Sequence, residues 1–76
     1  MCRISRFMTR TVTIYIWYPG LEQALPFKIP KKNMWDIDGV LNRLGGKFNI
    51  LRNQYEFVSK KNFALALEKI STYIVD

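Results

Sequence analysis

Two lysine pairs, Lys31-Lys32 and Lys60-Lys61, stand just ahead of the two stretches of helical periodicity in this 76-residue chain. A helix start offers unbonded amides and the positive end of its dipole, and so attracts anions. Lysines there work against the dipole, so two such corners suit phosphate contact; the alternative is that both pairs are merely solvated. The second group with chemistry to offer is aromatic. Tyr15 and Trp17, in "TVTIYIWY", are two residues apart and so share one face of a strand. Rings on an open sheet flanked by lysines, here Lys28 and Lys47, can stack bases while ammonium groups meet phosphates. Each stacked base contributes roughly 1–3 kcal/mol. The alternatives for these two rings are β-propensity alone or cover by the N-terminal arm.

Other chemistries are excluded by composition. There is no histidine and a single cysteine, Cys2, which leaves no zinc or haem site, no imidazole base and no disulfide within the chain. Asp36 and Asp38 complement a helix start better than they form an acid–base pair. "LGGKF" reads as a helix stop, with neither a phosphate loop nor a nucleophile elbow anywhere. The expectation is a non-enzymatic protein without metal or cofactor. Twelve Lys and Arg against six Asp and Glu give a net charge of +6, which favours polyanions or simply solubility. An apolar fraction of 49% is too high for intrinsic disorder. No apolar run reaches the ~18 residues of a membrane span. The lone cysteine suits a reducing, cytoplasmic setting. Arg3, Arg6 and Arg10 precede any acid, but the stretch has no small-residue cleavage site and does not read as a signal peptide. Residues 1–9 are expected to be a flexible basic arm, with Met8 an equally good start, and 10–76 a single domain.

The elements that must position these groups follow from periodicity. Residues 11–18 alternate, with Val12, Ile14, Ile16 and Tyr18 on one side and Thr11, Thr13, Tyr15 and Trp17 on the other. "PG" at 19–20 ends the strand, and "ALPFKI" at 24–29 supplies a second, whose Pro26 confines it to a sheet edge. Met34, Ile37, Val40, Leu41 and Leu44 then form a helical stripe, with Asn33 as N-cap, Asp36 in the capping-box position and Gly45 as the left-handed stop. Gly39 inside this helix costs about 1 kcal/mol against alanine, which points to close packing. A two-residue turn at Arg52-Asn53 would pair Leu51 with Gln54, Ile50 with Tyr55 and Phe48 with Phe57. Phe48, Ile50, Tyr55 and Phe57 then face the core together. Ser59 caps a last helix reaching residue 75, whose stripe is Phe63, Ala66, Leu67, Ile70, Tyr73 and Ile74. The expected fold is α+β, in the order β-β-α-β-β-α, a four-stranded antiparallel sheet with both helices on one face.

From Phe27 to Ile70 the chain resembles the HARP module, the small DNA-binding repeat of annealing helicases. The resemblance is carried by "FKI" (27–29), "VLNRLGG" (40–46), "KFN" (47–49), "YEF" (55–57) and "FALALEKI" (63–70). It departs from that pattern at Tyr55, where the family has tryptophan, and these residues include no helicase motor. It implies binding to branched DNA or single–double-strand junctions. The expected partner is therefore nucleic acid, DNA favoured, through Tyr15, Trp17, Lys28, Lys31, Lys32, Lys47, Lys60 and Lys61. The rival is a small regulator or inhibitor, of the kind small viral genomes encode, docking on a larger protein through Trp17, Tyr15 and Trp35. Its edge strand at 24–29 could extend a partner's sheet, although Pro26 blunts this. Pairing through the Tyr15–Trp17 face would make the chain a weak homodimer rather than a monomer.

Overall fold

Threonine, valine, isoleucine and aromatic residues at 11–17 favour extended backbone, and the period changes beyond residue 30. The computed structural model, which describes residues 10–74, follows these signals. Its elements are β1 (Thr11–Trp17), β2 (Leu25–Pro30), α1 (Met34–Arg43), β3 (Lys47–Asn49), β4 (Gln54–Glu56) and α2 (Lys60–Ile70). The expected N-terminal arm, with Cys2, lies outside the described residues.

A turn at 18–21, with Pro19 at its second position and Leu21 N–H donating to Tyr18 O at 3.0 Å, sends the chain back as β2. Thr11 then faces Pro30 and Ile16 faces Leu25 in an antiparallel ladder. The sheet order is β2-β1-β4-β3, so β2 is an edge and Pro26 is tolerated there. One expectation is corrected. The sheet is mixed, because β4 runs parallel to β1, with Ile16 opposite Tyr55 and Trp17 opposite Glu56. Alternation assigns residues to faces whatever the strand direction, so it could not reveal this.

Both helices cover one face. Ile14, Ile16 and Ile29 of the sheet meet Ile37 and Leu41 of α1 and Phe63, Ala66 and Ile70 of α2 in one buried cluster. The chain enters α1 through a 3-10 turn at Lys31–Asn33. Asn33 is therefore already coiled, at φ −96° and ψ 0°, and makes no side-chain cap bond, so the expected capping box does not form. The far end does form as expected. Gly45, at φ 93°, donates to Asn42 O and Gly46 to Leu41 O, both carbonyls of the last turn. Ser59 caps α2 by accepting from Asn62 N–H at 3.2 Å. That helix ends at Ile70 rather than at 75, and Tyr73 and Ile74 follow it half-buried.

Two further corrections concern packing. A Cβ on Gly39 would meet nothing within 4 Å, so no close approach requires glycine there. The second hairpin has a longer connection and a shifted register: Lys47 faces Glu56, Phe48 faces Tyr55 and Asn49 faces Gln54. Asn49 Oδ1 accepts from Arg52 N–H at 3.1 Å, and Asn53 adopts φ 56°, which builds the loop over 50–53. Tyr55 and Phe57 are core rings as expected. Phe48 is 46% exposed and Ile50 80% exposed, so, against expectation, neither belongs to the core.

Candidate nucleic-acid interface

The face of the sheet away from the helices presents Thr11, Thr13, Tyr15 and Trp17 from β1, with Lys28 opposite Thr13 on β2. Across the other side, Trp17 faces Glu56 and Glu56 faces Lys47. These are the residues that strand alternation assigns to this face. Lys28 and Lys47 are exposed, whereas Tyr15 and Trp17 are half-buried. The Trp17 indole N–H donates to Leu21 O at 2.8 Å, so the loop after β1 fixes the ring in place. Between the strands lies a polar network: Gln54 Nε2 and Asn49 Nδ2 both donate to Glu56 Oε2, at 2.7 and 3.2 Å.

The four helix-corner lysines do not converge. Lys31 and Lys32 follow β2, whose last residue faces Thr11, and Lys31 N–H donates to Arg10 O at 2.8 Å. Lys60 and Lys61 follow β4, whose last residue faces Trp17. The two pairs therefore stand at opposite ends of β1, roughly 20 Å apart along the strand at about 3.3 Å per residue. The mixed sheet is the cause, since the two strands leading into the helices run in opposite directions. Lys47 joins the Lys60–Lys61 end, and Arg10 the Lys31–Lys32 end.

At the Arg10 end the structure adds a residue that sequence reasoning placed only among anchors for a protein partner. Trp35, in the first turn of α1, is 86% exposed. It lines an open hollow of about 500 Å³ with Lys31, Lys32, Val12, Met34 and Asp38. Its spacing from the lysine pair, one helical turn on, was the available signal. Asp38 is held on its far side by Tyr55, whose hydroxyl donates to Asp38 Oδ1 at 2.7 Å. Burial first, then this bond and the Asp38 charge, push the Tyr55 pKa well above the usual tyrosine value. β4 thereby anchors the start of α1, and with it the hollow.

A separate apolar group lies at the hairpin tip, where Leu51 is 97% exposed beside Ile50 and Phe48. Among the described residues no group of three His, Cys, Asp or Glu side chains could hold a metal ion. No helix among them is long and apolar enough to cross a membrane. Comparison with protein-family models, curated proteins and solved structures finds no match to this chain.

Proposed function

We propose that the protein is a non-enzymatic nucleic-acid-binding module whose ligand is DNA, single-stranded or at a junction. The observation that carries this reading is the exposed Trp35 ring sharing one hollow with Lys31 and Lys32. An indole open to solvent offers a stacking platform for any base, and two exposed lysines lining the same hollow suit the adjoining phosphates. Tyr15 and Trp17 with Lys28 and Lys47 extend the same chemistry across the sheet, and Lys60 and Lys61 supply charge at its other end. The resemblance to the HARP module points the same way. The test is fluorescence anisotropy of labelled single-stranded, duplex and forked DNA at rising salt. Affinity should fall steeply with log salt, and Trp35→Ala should weaken single-strand binding by roughly 5- to 150-fold, the equivalent of one stacked base. No measurable binding at low salt would remove the proposal.

A second reading is favoured by the apolar hairpin tip. Exposed Phe48, Ile50 and Leu51 suit a small regulator, of the kind small viral genomes encode, that docks on a larger protein. In that case a complex isolated from cell extract survives nuclease treatment and is lost with Leu51→Lys, whereas Trp35→Ala leaves it intact.

A further inference from the structure

Stacking and phosphate neutralization leave the carboxylate in the middle of the open sheet face without a role. Glu56 lies between Trp17 and Lys47 in register, and it is half-buried. Two amide donors, from Asn49 and Gln54, converge on its Oε2. Its Oε1 takes no hydrogen bond among the described residues, so one oriented acceptor remains. Gln54, two residues before it on β4 and on the same face, is only 8% exposed, and its own Oε1 likewise accepts nothing among the described residues. A buried acceptor left unpaired is costly, and an incoming N–H would satisfy it. This part of the face therefore carries acceptors beside a ring.

We infer that Glu56, oriented by Asn49 and Gln54, reads the amino group of a base stacked at Trp17, so that the protein discriminates in favour of amino-bearing bases. The inference rests on the nucleic-acid reading above. A carboxylate only accepts hydrogen bonds. Cytosine presents its N4 amino group as a donor, and acidic side chains accept from that position. Thymine presents a carbonyl oxygen there, which a carboxylate repels. The two bases have similar rings, so stacking does not separate them.

The experiment measures binding of labelled oligo-dC and oligo-dT, each about twelve nucleotides to cover a typical single-strand site, at neutral pH and low salt. The unmodified protein should bind oligo-dC about tenfold more tightly. Glu56→Gln, which replaces the free acceptor with an amide able to donate to thymine, should bring the ratio close to one. Asn49→Ala, which frees the carboxylate from one of its two donors, should also lower it and serves if Glu56→Gln fails to fold. Equal binding of both strands by the unmodified protein overturns this inference alone. A preference that survives Glu56→Gln also overturns it. Failure to bind either strand overturns this inference and the single-strand form of the nucleic-acid reading, while failure to bind forked DNA as well overturns that reading altogether.

Discussion

Replacing Tyr55 by phenylalanine removes one hydroxyl and leaves the ring. Tyr55 is 3% exposed, and its hydroxyl donates to the Asp38 carboxylate at 2.7 Å. Hydrogen bonds to charged partners contribute ~1.5–3 kcal/mol. Asp38 is half-buried and accepts from Asn42 Nδ2 at 3.2 Å, so it is partly compensated when Tyr55 lets go. The lower end, about 1.5 kcal/mol, is therefore expected. For a domain this small the urea slope is about 1 kcal/mol/M, which places the loss at about 1.5 M in the unfolding midpoint by circular dichroism. Asp38→Asn keeps an acceptor for the hydroxyl and should lose only the charge-assisted part of the bond, so in the Tyr55→Phe background the same change should cost less than it does alone. The pH dependence provides a second readout. The folded Tyr55 pKa lies above its unfolded value, so folding favours the protonated form. Its contribution is complete below the unfolded pKa of about 10 and is lost as pH rises past it. Tyr55→Phe lacks this dependence, while all other tyrosines and lysines are common to both proteins. A midpoint within about 0.3 M of the unmodified protein, with the same alkaline slope, would refute the reasoning. Because this bond anchors the start of α1, the variant should also weaken any binding that depends on Trp35.

Other outcomes follow from single positions. Lys31→Glu with Lys32→Glu should weaken DNA binding alike for all sequences and reduce the single-strand salt slope by at least about 1.4, read from anisotropy titrations. Gly39→Ala adds a Cβ into open space within α1 and should raise stability by about 1 kcal/mol in urea melts. Gly46→Ala should do the opposite, because its Cβ would fall 2.6 Å from the Phe57 ring, itself 2% exposed. Its cost is expected at about 1–3 kcal/mol by the same melts. Ser59→Ala should cost about 1 kcal/mol through loss of the cap at Asn62 N–H, seen as a lower thermal midpoint.

What the sequence determined by itself was local. Alternation over 11–17 assigned each side chain to a face, Pro26 marked an edge, and Gly45 and Ser59 marked helix ends, because each signal needs only a few neighbouring residues. Tyr15, Trp17, Lys28 and Lys47 were legible as occupants of one sheet face for the same reason. Tertiary structure decided what depends on distant partners. The parallel pairing of β1 with β4 is invisible to alternation, yet it sends Lys31–Lys32 and Lys60–Lys61 to opposite ends of the sheet. The two-residue shift in hairpin register kept Phe48 on the Tyr55 side, half-exposed on the outer strand β3, but moved Ile50 out of the strand, since an asparagine in the left-handed region and the Asn49 side chain favoured a longer loop over a two-residue turn. Trp35 stands in solvent beside two lysines because Ile37 and Leu41 fix which side of α1 faces the core. A stripe of apolar residues defines the buried face of a helix, but only packing sets what the remaining residues stand beside.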